Sequence, residues 1–387
     1  MARSYLQPKQ NDGREHQSLP SPVLVVGGCG FLGSHLVKAL LSDQSTDTAQ
    51  YQVHALDIRT DRNRVQGAAY HSCDITSADQ VKSVFLATKP KVVFHVASPD
   101  PLSHNNALFQ QVNVKGTQNL LEAAKAVHTQ AFIYTSSFSA VHNHTDDIRD
   151  ADESLPVLRY PAQQDTYTLT KVAAEDKLRA ANRADDSSLL TAIIRPAVVF
   201  GEGDFQNFWS LVQRARSGRA NFQIGDGTNL YSYTYVGNLV DAHLLAAEAL
   251  VRAHGKPPPP AESRVDGEAF FITNDEDWPF WDYQRAGAAS VGYPVRKDDI
   301  KVIPMWLALV VGLVVEWVVW LISLGKRHSV LSRQAVRYSC INRTLRCDKA
   351  KRVLGYRPKV SMAEAIGNTG AWFVQEFPEA GKTQKTV

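Results

Sequence analysis

Cysteine is scarce and poorly placed for chemistry. The chain has four in 387 residues, Cys29, Cys73, Cys340 and Cys347. Their spacings fit neither a zinc ligand set nor a redox pair, so reduced thiols in a cytosolic milieu are expected. An excess of charge of one sign is lacking too. Lys and Arg number 42 against 39 Asp and Glu, a net +3, and the basic residues are scattered rather than striped. With no basic-aromatic run either, no nucleic-acid partner is expected. The opening MARSYLQPKQNDGREHQSLPSP has no apolar core of signal-peptide length, which argues against secretion. No internal repeat is present. A hydrophobic share of 44% and a charged share of 21% are those of a folded globular protein. The length suits one large α/β domain or two domains.

Residues 1–21 are polar and Pro-broken and read as a flexible tail. PVLVVGGCGFLGSHLVKALL then gives a strand, a glycine-rich turn and an amphipathic helix. YQVHALDI and KVVFHVA read as strands, with helical ADQVKSVFLATK between them. NVKGTQNLLEAAKAV is helical, AFIYTSS a strand, TYTLTKVAAEDKLRAANRA a helix and LLTAIIRPAVVFG a further strand. This alternation predicts βαβ units and a Rossmann-type, doubly wound parallel sheet. The expected organisation is a Rossmann domain over 22–203 and a smaller interleaved substrate region over 204–387. KPPPPAESR should be an exposed loop, and EAFFITN, near 269–274, a strand returning to the sheet.

The turn after the first strand holds Gly27, Gly30 and Gly33, with Gly28 as a fourth glycine. Glycine lets the backbone turn tightly and approach a pyrophosphate, while the amides of the following helix face its charge. Placement between an apolar strand and an amphipathic helix favours a dinucleotide over a plain tight turn. Asp57 ends the second strand, 24 residues past Gly33. A carboxylate there accepts from ribose hydroxyls and repels a 2′-phosphate, so NAD is expected and NADP less so. Arg59, Arg62 and Arg64 are read as a solvated loop that could soften this preference. Asp74 would reach the adenine or serve only ahead of a helix cap.

Tyr-x-x-x-Lys occurs three times, at Tyr5…Lys9, Tyr167…Lys171 and Tyr293…Lys297. The first contains Pro8 in the tail, and the third has Pro294 in a turn. Only Tyr167 and Lys171 lie in a continuous helical pattern, on one face. The strand that ends in Ser136 and Ser137 lies upstream, and strand C-termini carry ligands in open α/β sheets. A phenol titrates near pH 10 in ordinary surroundings, too high for a base at neutral pH. The expectation is that the Lys171 ammonium and a cationic nicotinamide hold Tyr167 as a phenolate. That phenolate would take the alcohol proton as hydride leaves, with Ser137 binding the alcohol oxygen.

These residues resemble the extended short-chain dehydrogenase/reductase superfamily. More narrowly, the chain resembles the 3β-hydroxysteroid dehydrogenase family and, within it, the decarboxylating sterol-4α-carboxylate 3-dehydrogenases. The pieces that carry the likeness are VVGGCGFLGSHLV, VVFHVASP, VNVKGTQNLLEAA, IYTSS, YTLTK, IRPAVVFGEGD, TYVGNLVDAH, GEAFFITN and AKRVLGYRPKVSMAEAI. The resemblance implies a catalytic set of Ser137, Tyr167 and Lys171. It puts Gly27, Gly30, Phe31, Leu32 and Gly33 at the pyrophosphate, Asp57 at the ribose and Asp74 at the adenine. Ala97 would line the cofactor trough, Pro196 and Val198 the nicotinamide, and Tyr167 and Lys171 would also touch cofactor. Asn113 matches a position that braces the central helix. SSFSAVHNHTDD departs from the family's pattern and bears on the substrate pocket. His142 and His144 within it lie on a loop, and no metal site is expected.

The implied reaction is oxidation of the 3β-hydroxyl of a 4α-carboxy sterol, followed by loss of CO₂. A 3β-hydroxysteroid or triterpenoid dehydrogenase would use the same residues. A sugar-nucleotide epimerase shares the fold, and a non-catalytic dinucleotide sensor would be expected to have lost Ser, Tyr or Lys. The partners implied are a sterol or triterpenoid, membrane lipid, other enzymes of sterol demethylation and a second copy of the chain as a homodimer.

One long apolar run, IPMWLALVVGLVVEWVVWLISLG, spans 303–325 and is long enough to cross a bilayer. Glu316 interrupts it, and Ala308, Gly312, Glu316 and Ser323 form one small or polar face. A spanning helix would put the last part of the fold across the membrane from the rest. A helix lying in the cytosolic leaflet is therefore expected, small face inward, with Lys326, Arg327 and His328 as an interfacial anchor. A buried core helix is the alternative. The resemblance implies the cytosolic face of the endoplasmic reticulum membrane.

Overall fold

A computed structural model of the chain describes residues 19–42, 51–101, 103, 105–184, 189–323 and 332–378. In chain order its strands are β1 (Val23–Val26), β2 (Val53–Asp57), β3 (Ala69–Ser72), β4 (Val92–His95), β5 (Ala131–Thr135), β6 (Ile148–Ala151), β7 (Leu190–Pro196), β8 (Val198–Phe200), β9 (Phe222–Ile224), β10 (Leu230–Tyr235), β11 (Ala269–Ile272), β12 (Asp277–Pro279), β13 (Lys301–Ile303) and β14 (Arg343–Leu345).

Seven of these form one parallel sheet in the order β11-β7-β5-β4-β1-β2-β3. Its central strands β1, β4, β5 and β7 are buried at every position because helices cover both faces. Alternation sorts the side chains: Val23 and Val25 of β1 pack into one core, Leu24 and Val26 into the other. The fold is thus a Rossmann-type α/β fold, and the chain reverses direction across the sheet between β1 and β4, the crevice where such sheets bind ligands.

A second sheet, β12-β10-β14-β6 with β8 also on β10, sits beside the first, and β9 pairs with β13. Residues 190–200, read as one strand, are two: β7 stays in the main sheet and β8 joins the second. The change falls at Pro196-Ala197, where proline supplies no N–H and the Ala197 amide donates to Ile272 O at 3.0 Å. The strand expected near 269–274 is β11, on the main sheet's edge next to β7. β6 comes from the first half of the chain yet pairs in the second sheet with β14. The expected tail ends sooner than residue 21, since Leu19 is buried in the first core; residues 1–18, with Tyr5 and Lys9, lie outside the described residues. Tyr293 lies in irregular backbone just after the turn at Val291 and Gly292, and Lys297 is exposed in a short 3-10 turn.

The apolar run forms one helix, Met305–Ser323, in which only Ala308 and Gly312 are buried. The core-helix alternative fails, because Trp306, Trp317, Trp320 and Ile322 are exposed, Ile322 at 81%. It is the one helix among the described residues long and apolar enough to cross a membrane. Its small face meets the segment after it. A Cβ on Gly312 would lie 3.2 Å from the Arg333 amide nitrogen, and Glu316 accepts from that amide at 2.7 Å and from Arg333 Nε at 2.8 Å. The expected anchor at 326–328 lies outside the described residues.

Candidate active site

The glycine turn is built for close approach. Gly27 has φ +86°, and a Cβ there would lie 2.8 Å from the Ala97 backbone; a Cβ on Gly33 would lie 2.0 Å from Gly27 O. Over Gly30, by contrast, the only neighbour within 4 Å is Gly27 O at 3.2 Å, so the loop is open there to a ligand. Phe31 and Leu32 begin the Phe31–Ser42 helix, whose first-turn amides have no acceptor within it. An open glycine turn against a helix N-terminus fits a dinucleotide pyrophosphate.

Asp57 is buried, and its carboxylate accepts from the Cys29 amide at 3.1 Å and the Arg59 amide at 3.3 Å. Each oxygen keeps a lone pair for a ribose hydroxyl. The same carboxylate, with burial, pushes the Cys29 thiol up to about 11. Asn63 Nδ2 also donates to Cys29 O at 3.0 Å, pinning the loop from the other side. Asp74 accepts from the Thr76 amide at 2.9 Å, in the turn ahead of the helix capped by Ser77.

On the neighbouring strands, β5 ends at Thr135, whose carbonyl accepts from Lys171 Nζ at 2.8 Å. This draws the Thr166–Ala181 helix onto the strand end and against the Phe138–Val141 turn that Ser137 caps. Ser137 Oγ accepts from the Ser139 amide at 3.2 Å, which leaves its hydroxyl hydrogen unused by the cap. Lys171 Nζ stands 5.8 Å from the centre of the Tyr167 ring and 4.9 Å from that of Tyr134. Pro196 is buried at the end of β7, with Val198 half-buried beyond it.

The electrostatics bear on how the expected phenolate could form. Burial, with the Asp165 carboxylate, pushes the half-buried Tyr167 phenol above the usual tyrosine range. Burial lowers Lys171 to about 7, against an upward pull from Glu175. Burial thus works against charge on both groups, favouring the neutral amine and the neutral phenol. Lys171 alone therefore does not hold Tyr167 as a phenolate. The protein's own groups favour two neutral partners, and the missing positive charge has to arrive with what binds.

Among the supporting residues, Asn113 is the one the resemblance marks as a brace of the central helix, whereas the motifs give Glu175 and Arg195 no role. Residues Gln110–Gly116 form a π-helical segment, a feature common at functional sites. Within it Asn113 donates to Thr170 Oγ1 at 3.0 Å and accepts from Ser98 Oγ at 3.1 Å, linking the strand edge to the helix between Tyr167 and Lys171. One turn past Lys171, buried Glu175 receives Arg195 Nε at 2.8 Å and Nη2 at 2.5 Å. His142 and His144, rings 5.5 Å apart, are engaged locally. His142 Nε2 donates to Asp146 O at 2.8 Å while its Nδ1 accepts from the His144 amide.

The family model for the 3-beta hydroxysteroid dehydrogenase/isomerase family matches residues 24–302. The chain belongs to that family. Among members, the decarboxylating sterol-4-alpha-carboxylate 3-dehydrogenase of Saccharomyces cerevisiae is 36% identical over 354 residues, 90% of this chain and 97% of the relative. The Homo sapiens protein of the same description is 34% identical over 97% of this chain and 95% of its own. Among solved structures, the UDP-glucose 4-epimerase of Thermus thermophilus, in complex with NAD, aligns with TM-score 0.64 at 20% identity, covering 91% of this chain and 98% of that one. At that identity the likeness speaks to the fold. The family and the epimerase thus share one Rossmann scaffold.

Proposed function

We propose that the chain oxidises the 3β-hydroxyl of a 4α-carboxy sterol, with NAD, and that the product then loses CO₂. The observation that carries this reading is the Tyr167–Lys171 pair drawn to the end of β5 beside Ser137, in a chain whose relatives bear that activity in their names.

Gly27, Gly30, Phe31, Leu32 and Gly33 would hold the pyrophosphate, Asp57 the adenosine ribose and Asp74 the adenine. Ala97, Pro196 and Val198 would wall the nicotinamide. The buried Asp57 carboxylate supports NAD over NADP, since a 2′-phosphate there would meet a negative charge. The bound cofactor supplies a hydride acceptor and a cationic ring. Ser137 would donate its hydroxyl hydrogen to the alcohol oxygen and fix it. Tyr167, as the phenolate, would take the alcohol proton and become the neutral phenol, and Lys171, fixed on Thr135 O, would face the phenolate charge before that transfer. The ketone formed stands β to the carboxylate. As the C–C bond to the carboxylate breaks, its electron pair becomes an enolate conjugated with that ketone, so the hydride step is the one that needs the protein.

The exposed apolar face of the Met305–Ser323 helix supports a place in the cytosolic leaflet of the endoplasmic reticulum membrane, where a sterol is dissolved. The Glu316–Arg333 pair holds its inner face to the protein. Liposome flotation tests this: Trp317→Glu with Trp320→Glu should abolish binding, and undiminished binding would reject it.

The activity is tested with purified protein, NAD⁺ and a 4α-carboxy-3β-hydroxy sterol. NADH and CO₂ should appear in equal amounts. NADH without CO₂, or turnover only of sterols lacking the acid, would reject the decarboxylating assignment.

A further inference from the structure

Arg343 is a buried cation without an acid. It opens β14, flanked by Tyr231 of β10 and Ile148 of β6, and is 3% exposed. Its Nε and Nη1 have no hydrogen-bond partner. Instead its guanidinium carbon lies 4.5 Å from the ring centre of Phe138, 4.2 Å from that of Tyr338 and 5.2 Å from that of Tyr231. Its electrostatic and side-chain hydrogen-bond partners are the two phenols, Tyr231 and Tyr338, and no Asp or Glu of the described residues stands among them. The carboxylate across the strand pair, Asp147, is spent on Asn342 and Arg149. Burying a guanidinium with free N–H groups and no counter-ion is costly, and a fold that only needed packing there would gain from an apolar residue.

The position of this charge is informative. Phe138 directly follows Ser137, the candidate ligand of the substrate hydroxyl. His144, which feels the Arg343 charge, approaches Thr168 beside Tyr167 at 3.4 Å. Burial and Arg343 together keep His142 and His144 neutral, each lowered to about 4, so neither offers a competing charge. In a 4α-carboxy-3β-hydroxy sterol the acid sits on the carbon next to the reacting one, so its counter-ion must come from beside the hydroxyl site. Ring faces around a guanidinium with two uncommitted N–H groups suit an acid carried on an apolar skeleton.

We propose that Arg343 is the anion subsite that receives the substrate's carboxylate, with Phe138, Tyr231 and Tyr338 orienting its fork. The proposal rests on the sterol-acid reading above. It makes Arg343 a specificity residue: it selects the acid and leaves the hydride step to Ser137, Tyr167 and Lys171.

The test compares Arg343→Met with wild type on two alcohols, the 4α-carboxy-3β-hydroxy sterol and its 4α-methyl counterpart. For the acid, KM should rise about 100-fold, the order of loss when one partner of a buried charge pair is removed. kcat, turnover of the methyl sterol and NAD⁺ affinity should be unchanged. An unchanged KM for the acid, or an equal loss on both sterols, overturns the proposal. Binding to the NAD⁺-loaded wild type under non-turnover conditions gives a reading independent of the variant's folding. The acid should bind about 100-fold tighter than its methyl ester, and equal affinities overturn the proposal. If the acid is preferred but neither NADH nor CO₂ forms, the anion subsite stands and the dehydrogenase reading fails.

Discussion

Lys171 Nζ donates to Thr135 O at 2.8 Å, and the hydroxyl of the same threonine bonds His243 Nε2 at 2.7 Å on the opposite face of the sheet. His243 Nδ1 in turn bonds Leu239 O at 2.8 Å, so Nε2 is the acceptor and Thr135 the donor. The last residue of β5 therefore fixes the candidate ammonium with its carbonyl and ties down the Val236–Ala253 helix with its side chain. Lys171 can turn neither away from the strand end nor freely toward solvent.

Replacing Lys171 by Met keeps the stem and removes the amine. Oxidation should fall by about 10²- to 10⁴-fold in kcat, the range of a lost acid–base contribution. Steady-state NADH formation reads this; a loss below threefold would mean that Lys171 is only a strut.

Asp165 caps the helix by accepting from the Thr168 amide at 2.9 Å, and its charge raises the Tyr167 phenol. Asp165→Asn retains the cap and removes the charge. The acidic limb of the pH profile of kcat/KM should then move to lower pH. A limb that stays in place or moves upward would show that another group sets it.

Four histidines, His95, His142 and His243 buried and His144 half-buried, shape acid stability. Burial lowers His95 to about 3 and His142, His144 and His243 to about 4. As pH falls below about 6.5 the unfolded chain takes up protons that the native state refuses, so stability drops. The loss should run from about pH 6.5 to about 4, with His95 extending it to about 3 before it levels off for these groups. Thermal unfolding across that window reads it, and a flat Tm would contradict it.

Glu175 and Arg195 are both fully enclosed, joined at 2.8 and 2.5 Å. Glu175→Gln leaves a buried guanidinium without its acid and should cost about 3–5 kcal/mol in urea unfolding. Adding Arg195→Met should recover most of that loss; additive losses would mean the two side chains act separately.

The parts legible in the sequence are those whose physics is local. β1 shows as an apolar run, the glycine turn as spaced small residues, and the Tyr167–Lys171 face as a helical interval free of proline. The inward face of the Met305–Ser323 helix was legible for the same reason, since Ala308 and Gly312 share a stripe with Glu316. What could not be read depends on distant contacts. The break at Ala197 arises because two sheets compete for one strand. β3, whose AYHS is half-exposed, lacks an apolar run to mark it. Arg343 looks like any strand cation until Phe138, Tyr231 and Tyr338 are brought around it from three separate parts of the chain. The depressed Lys171 reflects how deeply the helix is packed, which spacing does not encode.

The most direct measurement is a single turnover of the NAD⁺-loaded protein on the sterol acid, wild type against Tyr167→Phe. The phenylalanine ring keeps the packing against Phe109, whose ring centre lies 5.6 Å from that of Tyr167, and removes only the hydroxyl. Hydride transfer should slow by at least about 100-fold while cofactor affinity and Tm hold. Transfer at the wild-type rate in that folded, cofactor-bound variant would contradict a role for the Tyr167 hydroxyl in the proton transfer.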